Sequence, residues 1–146
     1  MNRYLFFFVI AIILSSCDLN NDCGDCFTPP RQFNFDFIDK DTSENLFVNE
    51  TFSEDDIIIK DESNNEIEFQ LINYNDSYIL SLNEIGWELD PKTYTIELSP
   101  EVSVVFDLDM DSNSDNCCTY FLVKEFDIQD FEYTESPSTG IIQVKI

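Results

Sequence analysis

The sequence predicts an all-β protein, a two-sheet antiparallel β-sandwich, and three observations carry that expectation. From Phe33 onward, apolar side chains recur at every second position, the period of a strand with one buried face. Turn-forming residues separate these stretches: Asn64-Asn65, Asn75-Asp76, Gly86, Pro91, Pro100, Ser112 to Asn116, and Pro137 to Gly140. Beyond residue 16, no segment sustains the 3.6-residue apolar period of a helix. Some eight short strands in about 115 residues suit two packed sheets better than a closed barrel.

The first segment, 1–16, reads as an export signal. Arg3 supplies positive charge, Tyr4 to Leu14 form an uncharged apolar run of 11 residues, and the small residues Ser15 and Ser16 follow. A helix that spans a bilayer needs about 20 apolar residues, so this run is too short to serve as one. Leu14-Ser15-Ser16-Cys17 then resembles the lipobox of bacterial lipoproteins: an aliphatic residue, two small residues and the cysteine that receives the lipid. That resemblance implies cleavage before Cys17, lipidation of its thiol and attachment to a membrane in the cell envelope. Asp18 resembles the inner-membrane retention residue of gamma-proteobacterial lipoproteins, whereas the acidic stretch to Asp22 resembles the surface-export signal of Bacteroidota lipoproteins. The Asn-, Ile- and Phe-rich composition resembles small Bacteroidota lipoproteins, which implies the outer membrane and leaves the leaflet open.

Residues 17–32 read as a tether, polar and interrupted by Gly24 and Pro29-Pro30. The sandwich is expected over 33–146. Phe33, Phe35 and Phe37 alternate with Asn34 and Asp36. Ile57-Ile58-Ile59 is a continuous apolar run of the kind buried on both faces. Ile67, Phe69 and Leu71 follow, then Tyr78, Leu80 and Leu82, then Tyr94, Ile96 and Leu98. Val102, Val104, Phe106, Leu108 and Met110 form the longest set, before Cys118, Tyr120 and Leu122, and Ile142, Val144 and Ile146 close the chain. The run from Leu89 through Pro91, Tyr94 and Ile96 to Leu98 resembles the corner before a late strand of immunoglobulin-like and transthyretin-like modules, which implies a sandwich of one of those kinds.

Four cysteines remain after Cys17: Cys23 and Cys26 in the tether, and the adjacent Cys117 and Cys118. An exported chain favours disulfides. Two connectivities join tether to strand, 23–117 with 26–118 or 23–118 with 26–117; the third needs a bridge between neighbouring residues. Cys23-Gly24-Asp25-Cys26 also has thioredoxin-type spacing, but Asp22 and Asp25 raise a thiol pKa rather than lower it. A four-cysteine zinc site is poorly served by an adjacent pair.

Asp107-x-Asp109-x-Asp111 matches the first half of a calcium loop, with Ser112 where the turn glycine belongs and Cys118 where the bidentate glutamate belongs. The expectation here is a turn at which Asp111, Asn113 and Asp115 would take calcium, the one cofactor the sequence suggests. The plainer reading makes Asp107, Asp109 and Asp111 the outward face of a strand. Trp87 reads either as a half-buried edge of the core or as a stacking platform for a sugar or peptide.

Charge excludes more than it assigns. The chain has 30 Asp and Glu against 7 Lys and Arg, a formal charge of −23; loss of residues 1–16 removes Arg3 and no acid. Such a chain repels nucleic acid and anionic lipid. It has no histidine, which removes Ser-His-Asp and Cys-His catalysis. The sequence therefore predicts a non-enzymatic, lipid-anchored envelope protein, a binding or accessory module whose partner is a protein or a glycan. A calcium-dependent adhesin or carbohydrate-binding domain is the alternative.

Overall fold

A computed structural model describes residues 26–115 and 118–146. It is a β-sandwich of two five-stranded sheets. The strands are β1 (Phe27–Thr28), β2 (Phe33–Ile38), β3 (Ile58–Asp61), β4 (Gln70–Tyr74), β5 (Ser77–Leu82), β6 (Lys92–Ser99), β7 (Val102–Asp115), β8 (Cys118–Ile128), β9 (Glu132–Glu135) and β10 (Ile141–Lys145). The first sheet runs β1-β8-β7-β6-β3 and the second β4-β5-β2-β10-β9.

Period-two patterning places the core where it was expected in β2, β6, β7 and β10, but not in β8, where Phe121 and Val123 pack against the core and Leu122 is 44 % exposed. Phe33, Phe35, Phe37, Leu80, Leu82, Ile142 and Val144 face inward from the second sheet. They meet Ile59, Ile96, Leu98, Val104, Phe106 and Leu108 from the first, all at 2 % exposure or less. The ring of Phe106 lies 5.3 Å from Phe35, 5.2 Å from Tyr94 and 5.6 Å from Phe126, so one aromatic cluster bridges the two sheets. Burial of this kind removes water from apolar surface at roughly 25 cal/mol per Å², the main force holding the layers together. The long connection 39–57 closes one end, with Leu46, Phe47 and Phe52 buried beneath it.

Four further features differ from the sequence expectation. The sheets are mixed rather than purely antiparallel, since β1 lies parallel to β8 and β2 parallel to β10. Ile58 is 41 % exposed while Ile59 is buried, because successive side chains point to opposite faces and the outer face of the first sheet is not covered there. Its triplet of isoleucines is therefore not buried on both faces. The expected turn over Ser112 to Asn116 is strand as far as Asp115, which pairs with Cys118. Finally, β1 and β9 were not expected: β1 sits inside the tether, and β9 carries a single inward aromatic, Tyr133, in a run of polar residues.

Turn chemistry sets two of the connections. Asn75 and Asp76 form the two-residue turn between β4 and β5, both with positive φ (51° and 64°), a conformation that Asn and Asp tolerate better than most residues. Gly86 has φ 87°, and a Cβ there would stand 3.2 Å from Pro30 Cβ and 3.3 Å from the Phe33 ring. Only glycine lets the tether pass this close to the strand it leads into.

Candidate functional site

The tether is built into the first sheet. Cys26 is bonded to Cys118, with Cα atoms 4.7 Å apart. Immediately after it, Phe27 and Thr28 pair with Thr119 and Tyr120 as an added edge strand. Arg31 then reaches the second sheet, where its guanidinium donates to Glu135 at 2.6 Å and to the Gly140 carbonyl at 3.1 Å. Of the connectivities open to the sequence, the 26–118 bridge is present, which rules out a 23–118 or 117–118 pairing. Cys17, Cys23 and Cys117 lie outside the described residues. Close by, Trp87 is 45 % exposed and meets the Phe121 ring edge-on at 5.8 Å, so it is a partly covered edge.

The acidic strand β7 presents Asp107, Asp109, Asp111, Asn113 and Asp115 on the outer side of the first sheet. Asp107 accepts hydrogen bonds from Thr93 Oγ1 at 2.6 Å and Gln129 Nε2 at 2.9 Å, which hold its carboxyl below the usual carboxylate range, Thr93 first. Glu125 stands opposite Asp109, a like-charge pair. A bulge in β8 relieves it: Lys124 is the extra residue there, and its ammonium donates to Asp109 at 2.5 Å. Asp111, Asn113 and Asp115 continue along the straight ladder, where strand rise separates the first from the last by about 13 Å. Calcium ligands sit within about 2.6 Å of the ion, so a strand this extended does not wrap one. Among the described residues, no three Cys, Asp or Glu side chains gather as a metal site.

Sequence reasoning missed the outer face of the second sheet. At one end, Asp36 accepts from Asn45 Nδ2 at 2.8 Å, Gln143 Nε2 at 3.2 Å and Ser77 Oγ at 3.5 Å. Asn45 also donates to the Tyr78 carbonyl and accepts from the Phe47 and Val48 amides, so it pins the 39–57 connection to the sheet. These residues floor a hollow of about 520 Å³. Beside it, a second hollow of about 300 Å³ is lined by Ile72, Tyr74, Ile79 and Ile141 with the polar residues Asn34 and Gln32. Ile72 and Tyr74 are 41 % and 46 % exposed. The signal was present in the sequence, because Ile72 and Ile79 break the polar half of their alternations.

Elsewhere several surface bases pair with acids. Lys60 pairs with Glu97, Lys145 with Glu132, and Lys92 with both Glu62 and Glu88 at 2.9 Å. The Glu88 and Glu62 carboxylates hold the Lys92 ammonium well above the usual lysine range. Tyr94, buried beside this group, has its phenol pushed up to about 12, chiefly by burial and then by the Glu88 charge. Such exposed pairs are screened by water and contribute little to stability.

In comparisons with protein-family models, curated proteins and solved structures, nothing matches this chain.

Proposed function

We propose that this chain is a lipid-anchored protein of the bacterial cell envelope, in the outer membrane, and that it acts there as a non-enzymatic binding module. The observation that carries the reading is the spacing between Leu14-Ser15-Ser16-Cys17 and the Cys26–Cys118 bridge. The lipid site and the folded domain are nine residues apart. Nine residues span at most about 30 Å fully extended, so the sandwich is held close to the bilayer surface rather than on a long stalk.

Chemistry supports each part. Disulfides form and persist in oxidising compartments beyond the inner membrane. Among the described residues, no helix is long and apolar enough to cross a membrane, and in this reading the attachment is made by lipid. Two or three acyl chains, each buried methylene worth about 0.8 kcal/mol, make a durable anchor. The chain has no histidine, and Asp107 is held by hydroxyl and amide donors that favour its charged form.

Mass spectrometry of the protein isolated from a lipoprotein-processing bacterium tests the reading. An N-terminal peptide beginning at Cys17 and carrying diacylglyceryl mass is the expected result. An unmodified Cys17, or a chain that retains Met1, contradicts it.

A further inference from the structure

We propose that β4 is a docking edge, which takes up an extended segment of a partner protein, apolar in its middle and basic at its ends, as a sixth strand of the second sheet. The four sheet edges are not alike. β1 is two residues long, and β9 carries glutamates at both ends. β3 is partly covered by its own chain, since the Ile67 amide donates to the Ile59 carbonyl and Lys60 bridges to Glu66. β4, Gln70-Leu71-Ile72-Asn73-Tyr74, has five residues with no charge, no proline and no bulge, in a chain that is 25 % charged. Proteins guard edges of this kind unless something pairs with them. Among the described residues, β5 alone pairs with it.

Register shows which groups are on offer. The two-residue turn makes Tyr74 and Ser77 a hydrogen-bonded pair, and alternation extends this to Ile72 with Ile79 and Gln70 with Ser81. The N–H and C=O groups of Leu71 and Asn73 therefore point away from β5, toward an added strand. On the outer face, Ile72 and Tyr74 stand exposed along the edge, where they give alternate side chains of an added strand apolar neighbours.

Charge selects the partner. Glu66 and Glu68 lie exposed before the strand and Asp76 after it. The whole chain carries 30 acids against 7 bases, so a second copy is repelled and a segment with lysine or arginine at its ends is attracted. The tether enters along β1 and the β9 side, through Cys118 and Glu135, at the opposite end of the strand order from β4. The edge is thus on the far side of the second sheet from Glu135, where Arg31 is held.

This inference deepens the binding-module reading, and its test leaves the lipid untouched, so the failure of either is distinguishable from failure of the other. The probe is a fluorescent synthetic peptide of alternating threonine and valine with paired lysines at each end, titrated into the full chain. Saturable binding is expected, with the Leu71 and Asn73 amides newly protected from hydrogen exchange. The glutamate-ended analogue is expected to bind about tenfold or more weakly.

Asn73→Pro removes an outward N–H without touching the β4–β5 ladder and is expected to abolish binding. If that variant loses its far-ultraviolet spectrum, Asn73→Lys gives the same reading through repulsion of the lysine ends. Equal binding of the two peptides, or binding unchanged by a folded Asn73 variant, overturns the proposal. Two other outcomes also overturn it: a dimer in sedimentation that Asn73→Pro disrupts, and Tyr74-dependent binding of a neutral oligosaccharide while both peptides fail.

Discussion

Cys26 and Cys118 are joined across 92 residues of sequence, and the strand that follows Cys26 pairs with the strand that begins at Cys118. One covalent bond and one short ladder thus make the end of the tether a structural edge of the first sheet. A pull on the tether is carried into β8 and β7, the longest strands among the described residues, instead of peeling off a loose end.

Loss of this bridge has a calculable cost. Closing a loop of this length removes about 4–5 kcal/mol of unfolded-chain entropy in the simplest treatment, and measured values usually fall below that. The double variant Cys26→Ala/Cys118→Ala is therefore expected to lose about 2–5 kcal/mol of unfolding free energy in urea. Protease cutting should move into the segment before Phe33, because β1 alone is too short to hold it.

Gly86 and Gly140 both have positive φ (87° and 67°), yet they differ in what surrounds them. A Cβ at Gly140 meets nothing closer than 3.8 Å, whereas at Gly86 it presses on Pro30 and Phe33. Gly140→Ala is expected to cost about 1 kcal/mol from conformation alone. Gly86→Ala should cost about 1–3 kcal/mol more, since core crowding adds to it. Paired thermal melts of the two variants check the difference.

Asp107 links stability to pH with a definite sign. Thr93 and Gln129 favour its ionised form, so its folded pKa lies below its unfolded value. Its stabilisation is complete above the unfolded pKa of about 3.9 and disappears as pH falls through the lower folded value. Asp107→Asn is expected to be less stable than wild type at neutral pH by on the order of 1 kcal/mol, the net worth of a hydrogen bond to a charged group. The two proteins should converge below about pH 4. A gap that persists or widens in acid would contradict the assignment.

Calcium gives a further check. Asp109 is already held by Lys124, and Asp111, Asn113 and Asp115 are strung along an extended strand. Addition of about 1 mM calcium, or its removal by chelator, is expected to leave the melting temperature unchanged. A ligand that bound the native state near that concentration would raise stability by about 1 kcal/mol or less, which a few degrees of shift would reveal.

The alternation of Phe33, Phe35 and Phe37 with Asn34 and Asp36 was enough to place β2 in the core, and the same holds for β6 and β7. What the pattern could not show was which strands end a sheet. Ile57-Ile58-Ile59 looks central by composition, but β3 stands last in the order of its sheet, and strand order is a property of topology rather than of local hydrophobicity. The acidic stretch after Met110 looked like a turn because Asp, Ser and Asn favour turns, yet cross-strand pairing with β8 overrides that preference as far as Asp115. The second sheet's outer face was half legible. Ile72 and Ile79 stand out as apolar residues at polar positions, whereas the Asp36–Asn45–Gln143 group joins residues up to 107 apart in sequence.

Membrane fractionation of wild type against Cys17→Ser tests the anchored-module reading without intermediaries. Wild type is expected in the membrane pellet, released by detergent and not by salt, with Cys17→Ser recovered in the soluble fraction and still folded. A Cys17→Ser chain that pellets as wild type does, or a wild-type chain that salt alone releases, would contradict it.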